Sequence, residues 1–356
     1  MKPIYEVSIA GEIIDFGGRL VSLQISQDRD RFDPIGSDCL EIVLEDTKSP
    51  RLQIPPRGRA LRVKLGYEGQ PLVDKGIYIV DETEISGPPN TLTIRAQNNP
   101  KTAHSDSYNP MTTRITRSWQ TPLTVQDLVA KVAIDHGLSP QISPSLASIA
   151  LPHIDQVNMT DLELLSQYVG KVYDAFVLVQ DSWLIVLKNG EGQTVNDADV
   201  PNIFVFAKQD GETIDPSKVY ITSWRTRFTD FVRYDTVKAY WFDLATAEQK
   251  EEMAGSGQDP TMRLPYLYPD AATAKAAAQT IFNRCNTGVG EISCDFPGVP
   301  QLFSGGRLYV SGLHPDVDQS VWYCRRVVHM LAGDGLWTEV RGDRITSDMI
   351  AEMEAK

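Results

Sequence analysis

Clustered metal ligands, long apolar runs and an excess of positive charge are all missing from this 356-residue chain. Its four cysteines, Cys39, Cys285, Cys294 and Cys324, are scattered and form no Cys-x-x-Cys pair. Neither a zinc site nor a disulfide framework is expected from them, and buried free thiols are the ordinary reading. The five histidines are followed by Ser, Gly, Ile, Pro and Met, which leaves no His-Glu-x-x-His zinc helix. No Gly-x-Ser-x-Gly elbow and no Gly-x-x-x-x-Gly-Lys phosphate loop occurs. No catalytic, cofactor-binding or metal-binding residue is therefore assigned. A glycosidase-type carboxylate pair leaves no pattern to find, because 47 acidic residues guarantee some pair at about 5 to 10 Å in any fold.

No apolar stretch approaches the roughly 20 residues of a membrane-spanning helix. Met1-Lys2-Pro3-Ile4-Tyr5-Glu6 enters a strand pattern directly, without a signal-peptide core, so synthesis in the cytoplasm is the expectation. Lys and Arg number 34 against 47 Asp and Glu, a formal charge of −13. That balance argues against sequence-specific nucleic-acid binding, which needs clustered cations on phosphates. Apolar content of 42% and charged content of 23% describe a folded globular protein, and the length calls for two or three domains.

Strict alternation in Tyr5 to Ile9, Val21 to Ile25 and Leu61 to Tyr67 predicts strands with one buried face. Further runs at Leu40 to Leu44, Ile77 to Val80 and Thr91 to Ala96 bring the first hundred residues to about six, separated by Gly17-Gly18, Pro55-Pro56 and Gly87-Pro88-Pro89-Asn90. Such a set closes into a small barrel or sandwich, or lends an edge to a neighbour.

Residues 112 to 190 change grammar. After the arm Arg117-Ser118-Trp119, Thr124-Val125-Gln126-Asp127 opens a helix as a capping pattern, with Leu123 and Leu128 as its staple. Val125, Leu128, Val129, Val132 and Ala133 supply one apolar face, and His136-Gly137 the stop. Thr160-Asp161-Leu162-Glu163 repeats the device, stapled by Met159 and Leu164, and a hairpin around Trp183 to Val186 follows. A second β set follows, with long strands at Val219 to Trp224 and Val232 to Trp241, then Gly306 to Ser311, Val321 to Leu331 and Leu336 to Arg341. A polar helix is expected at about Thr246 to Met253, a loop at Gly255 to Pro260, and an Ala-rich helix from Ala271 to about Asn283 capped by Asp270. The latter is too short and polar to span a bilayer; packing against a barrel is its ordinary role.

The order Arg-Ser-Trp, Leu-Thr-Val-Gln-Asp-Leu-Val, His-Gly-Leu, Gln156 to Leu165 and Trp183 to Val186 resembles the late control protein D family. So does the closing third, with Ala271 to Arg284, Gly290-Glu291-Ile292, Gly305 to Leu308, His329-Met330-Leu331 and Gly335 to Thr338. These are central hub proteins of contractile phage tails, similar to the hub part of type VI secretion spike proteins. The resemblance spans roughly residues 1 to 345. Where the family often has an acidic residue and Ser after the Asn, this chain has Met159 and Thr160, and Thr caps nearly as well as Ser.

The resemblance implies a mainly β fold with an α+β insert. Two tandem antiparallel β-barrel-like domains, at 1–111 and 199–345, flank a small two-helix domain at 112–198, and a tail occupies 346–356. It implies a homotrimer forming a pseudo-sixfold ring, which adapts a sixfold tail tube to a threefold spike around a central channel. The implied partners are a separate trimeric spike protein, a tail tube or tube-initiator protein, and tape-measure and baseplate wedge proteins; the implied location is the virion baseplate or a tail-like particle. An acidic channel wall would let phosphate slide. No residue-level repeat relates the two β sets, so their duplication rests on strand content and resemblance.

Two other classes stand beside this one. A cell-wall hydrolase of the tail tip would need a domain for which no stretch is left over. A carbohydrate or receptor binder would place exposed aromatics on loops, whereas Trp183, Trp224, Trp241, Trp322 and Trp337 all lie in strand patterns. Trp119 is expected to anchor the insert onto a barrel, His136 to cap a helix, and His329, alone in an apolar strand, to be a histidine whose ring is hydrogen-bonded at a strand or subunit contact.

Overall fold

The computed structural model describes residues 2–29, 35–56, 58–98, 111, 113–189, 202–208, 211, 213–229, 234–287, 290–333 and 335–345. The expected tail, 346–356, and the insert boundary near 198 lie outside them. The first β set comprises β1 (Pro3–Ile9), β2 (Glu12–Ile13), β3 (Leu20–Asp28), β4 (Ser37–Glu45), β5 (Ala60–Tyr67), β6 (Val73–Ser86) and β7 (Thr91–Gln97). In β5, burial follows the sequence alternation: Leu61, Val63 and Leu65 are inside and Arg62 is exposed. Ala10 and Gly11, at φ +51° and +87°, turn β1 into β2 as a two-residue hairpin whose twist matches its strands. The strands pair in the order β2-β1-β5-β6-β7-β4-β3 over a core that includes Leu23, Ile42, Val63 and Tyr78.

The insert contains β8 (Ile115–Trp119), β9 (Leu123–Thr124), α1 (Val125–Asp135), β10 (Ser139–Ile142), α2 (Pro144–Ala147), β11 (Ala150–Leu151) and β12 (Ile154–Met159). Then come α3 (Asp161–Leu165), a π-helical turn at Ser166–Gly170, α4 (Lys171–Tyr173), β13 (Ala175–Gln180) and β14 (Trp183–Lys188). Both capping boxes form: Asp127 N–H donates to Thr124 Oγ1 at 3.1 Å, and Glu163 N–H to Thr160 Oγ1 at 3.1 Å. The reciprocal carboxylates accept from Thr124 N–H and Thr160 N–H at 3.0 and 2.9 Å. The apolar face of α1 packs with Leu164, Leu165 and Val186 into a core of the insert's own. Trp119 belongs to that core and does not anchor the insert onto a barrel, because β8 pairs with β12 and sets Trp119 opposite Ile154.

After the insert come β15 (Ile203–Phe206), β16 (Val219–Tyr220), β17 (Ser223–Phe228), β18 (Thr236–Asp243), β19 (Glu248–Gly255) and β20 (Thr261–Tyr268). The chain closes with α5 (Ala271–Thr287), β21 (Gly290–Pro297), β22 (Arg307–Ser311), α6 (Pro315–Asp318), β23 (Val321–Ala332) and β24 (Gly335–Ile345). The expected strand over Val219 to Trp224 breaks at Ile221 and Thr222, whose N–H groups donate to different strands, to Phe206 O and Asp295 O. Residues 246–253 are not a helix. Asp243 accepts from Ala245 N–H, Ala247 takes φ +53°, and the chain returns as β19 along β18. The Ala-rich helix is α5, with Thr273 N–H donating to Asp270 at 2.8 Å. Its Ala274, Ala277 and Ala278 lie on the three-stranded sheet β19-β18-β20.

Each β set has its own core cluster, with Leu331 and Leu336 of β23 and β24 adding to that of the first, and the two sets are joined edge to edge. β3 pairs with β23, placing Ile25 opposite His329, and carries one sheet of 14 strands through both.

Candidate functional site

Three polar clusters brace the fold, one inside the insert and two where the insert and the two β sets meet. The first lies within the insert. Arg117 on β8 donates to Gln156 Oε1 at 2.9 Å, Asp135 Oδ2 at 2.8 Å and Asp161 Oδ1 at 2.7 Å, with its guanidinium 4.2 Å from the Trp119 ring centroid. Trp119 Nε1 donates to the same Gln156 oxygen at 3.1 Å, so the indole has its partner. His136 ends α1, but its ring bonds Asp161 Oδ2 at 2.7 Å instead of the helix carbonyls. Burial pushes the Asp161 carboxyl up, and hydrogen bonds from His136 and Gln156 with the charge of Arg117 more than reverse this, holding it below the usual carboxylate range. An Asp–His pair invites a catalytic reading. Here both Asp161 oxygens are occupied by residues that tie α1, α3, β8 and β12 together, so it acts as a brace.

The second cluster docks the insert. Gly36 N–H donates to Val177 O at 2.9 Å, and Arg29 and Asp38, both buried, pair at 2.5 Å with Arg29 5.7 Å from the Phe176 ring centroid. Burial alone would lower the Arg29 pKa; the charge and hydrogen bonds of Asp38 outweigh it. Ile77 N–H donates to Asp181 at 2.9 Å, and Gly76 lacks a Cβ where one would meet Gln180 Nε2 at 2.3 Å. On its other side the insert meets α5: Arg284 reaches Asp174 and Gly170 O, both at 3.1 Å, and Thr280 reaches Val172 O at 2.7 Å.

The third cluster seals the two β sets. Lys75 of β6 is fully buried, with Nζ 3.0 Å from Leu302 O, 3.0 Å from His329 Nε2 and 3.8 Å from the Phe303 ring centroid. His329 Nδ1 meets Thr338 Oγ1 at 3.0 Å, so the ring is hydrogen-bonded at a strand contact, as expected. Burial drives the Lys75 amine well below its ordinary value; burial and the Lys75 charge do the same to His329. Tyr67 Oη donates to Gly298 O across the same seam at 2.8 Å.

Lys75, Arg29 and Asp38 are not legible in the sequence, because a charged residue reads as solvated until its distant partners are in place: Leu302 and His329 for Lys75, and Phe176 over the Arg29–Asp38 pair. Among the described residues no group of three or more His, Cys, Asp or Glu is placed to hold a metal. No helix among them is long and apolar enough to cross a membrane. The cysteines are free; Cys294 and Cys324 are buried, and burial pushes the Cys294 thiol up to about 12, away from thiolate chemistry. What remains outward is surface: the stacked pair Phe204 and Tyr309, with ring centroids 4.9 Å apart, and the half-exposed Trp224 and Phe228 of β17.

No protein-family model matches the chain. It is 29% identical to the probable baseplate hub protein of Escherichia phage 186, over 98% of this chain and 95% of that protein. With the probable baseplate hub protein of Escherichia phage P2 the identity is 28%, over 97% and 93%. The chain is thus similar along nearly its whole length to two probable phage baseplate hub proteins. Its fold agrees with this kinship: a 43 kDa tail protein of prophage MuSo2 from Shewanella oneidensis superimposes with a TM-score of 0.66 at 12% identity, over 97% of this chain and 99% of that one. An Escherichia coli component of the type VI secretion system, described as similar to bacteriophage T4 tail proteins, superimposes at 0.56 and 10% identity, over 96% of this chain and 77% of the other. The resemblance to hub proteins read from the residues therefore holds over nearly the whole chain.

Proposed function

We propose that this protein is the structural baseplate hub of a phage tail or tail-like particle, a virion component that acts without catalysis. The observation that carries this reading is the near full-length kinship with two baseplate hub proteins. The clusters support it, since the buried polar groups brace one domain against another.

The finer reading is a homotrimer in which the two β sets, the tandem barrel-like domains, alternate around a pseudo-sixfold ring. Such a ring presents six similar surfaces to a tail tube or tube-initiator protein and three to a separate trimeric spike, with a channel between. Two sheet-rich halves joined in one sheet support this, because a shared ladder of backbone hydrogen bonds fixes one half against the other. Tape-measure and baseplate wedge proteins are the further partners, and synthesis precedes assembly in the host cytoplasm. Deleting the gene from a strain that makes the particle tests the assignment. Loss of assembled tails, restored by the intact gene and accompanied by antibody label at the baseplate end, is expected. Normal tails in the deletion strain contradict it.

A further inference from the structure

The sheet that joins the two β sets branches at β23 and ends at β16, β17 and β2, and the β17 and β2 ends are unlike. At the β17 end, β17 is hydrogen-bonded to β21 on one side, and among the described residues no strand pairs with its other side. Trp224 lies opposite Cys294, Thr226 opposite Ile292 and Phe228 opposite Gly290, so these three side chains share the face that is core in β21. Trp224 and Phe228 are nevertheless each 45% exposed. Thr226 Oγ1 is buried with no hydrogen-bond partner. On the opposite face Arg225 and Arg227 are exposed, Arg227 reaching only to within 4.0 Å of Glu291. An open strand with a core-side aromatic pair and a cationic outer face is an edge that natural sheets cover.

At the β2 end, β1 is flanked by the short β2, where Glu12 and Ile13 are exposed, Ile13 to 67%, with Asp15 exposed just beyond. The β17 end is aromatic and basic, the β2 end aliphatic and acidic. A contact between unlike ends of identical chains is heterologous, and it closes into a ring when the rotation per copy divides a full turn. Two like ends would instead set Arg against Arg or Glu against Glu.

We infer that the β17 edge of one copy is covered by the β1–β2 hairpin of the next copy, Arg225 and Arg227 facing Glu12 and Asp15, with Ile13 against Trp224 and Phe228. This rests on the homotrimer reading and supplies its contact. Backbone pairing along β17 gives the contact its direction, and the charges set its register.

Native mass spectrometry of the full chain, with hydrogen exchange read at Ser223–Phe228 and Glu12–Asp15, tests it. The wild type is expected as a trimer in which both segments become protected together as concentration rises through assembly. Arg225→Glu with Arg227→Glu, or Glu12→Arg with Asp15→Arg, should each give a folded monomer with unchanged circular dichroism, since all four side chains are exposed. Combining the four substitutions in one chain should restore the trimer. Either double variant remaining trimeric, or the combined variant staying monomeric, overturns the interface and leaves the hub reading standing. A wild type that is monomeric at tens of micromolar overturns both.

Discussion

Lys75 buries an amine that, among the described residues, has no carboxylate in ion-pair contact and lies against a histidine nitrogen, a carbonyl and an aromatic face. The unfolded chain binds a proton at Lys75 that the folded chain binds weakly, so stability falls as pH drops from the ordinary lysine value of 10.5 toward the lower folded one. Lys75→Met keeps most of the volume and removes that penalty. It is expected to be more stable than wild type at pH 7 by about 1 kcal/mol, read by denaturant unfolding. His329 acts in the same direction lower on the scale. Its folded pKa lies well below 6.5, so the unfolded state takes up the extra proton and stability is lost as pH falls below 6.5, with no change above it. Thermal midpoints between pH 7 and 5 should fall less steeply in His329→Gln than in the wild type. Gly255 is a backbone case: at φ +104°, a Cβ would stand 2.1 Å from Asp235 O, so Gly255→Ala should cost about 2–4 kcal/mol. A sequence cannot announce such residues, because what sets them apart is the neighbour that long-range folding brings, as Leu302 and His329 are brought to Lys75.

At the scale of elements, legibility followed the range of the interactions. Both capping boxes, the apolar face of α1, the cap of α5 and the alternation of β5 are set by contacts within a few residues, and they stand where the sequence puts them, whereas β2 goes unannounced and β6 runs from Val73 to Ser86, well beyond the apolar run at Ile77 to Val80. Thr160→Ala should therefore cost about 1 kcal/mol in unfolding free energy. A charge at Leu128 or Leu165, both fully buried, should cost several kcal/mol; unchanged thermal stability in Leu128→Asp would show the helical core to be wrong. β19 shows the opposite case. Its Glu248-Gln249-Lys250-Glu251-Glu252-Met253 favours helix by composition, yet the turn at Asp243 to Ala247 delivers it onto β18, where period-two alternation takes over. Ala254 is buried beneath α5, Lys250 lies 5.6 Å from the Trp241 ring centroid, and Gln249 and Met253 face outward. Tertiary pairing overrides propensity there. Trp119 likewise turned inward because β12, 35 residues later in the pairing Ile154 to Trp119, encloses it.

At the scale of the whole molecule, the seam between β3 and β23 is the least readable feature. It pairs residues some 300 positions apart, such as Leu23 with Leu331, and nothing in either strand alone names the other. That seam turns two β sets into one sheet, whose unlike β17 and β2 ends are what the proposed ring of copies joins. The central claim is that the chain works as a trimeric hub. The most direct measurement is the mass of the purified protein in solution at micromolar concentration. A single species at three times the chain mass is predicted; a stable monomer across that range would contradict the account.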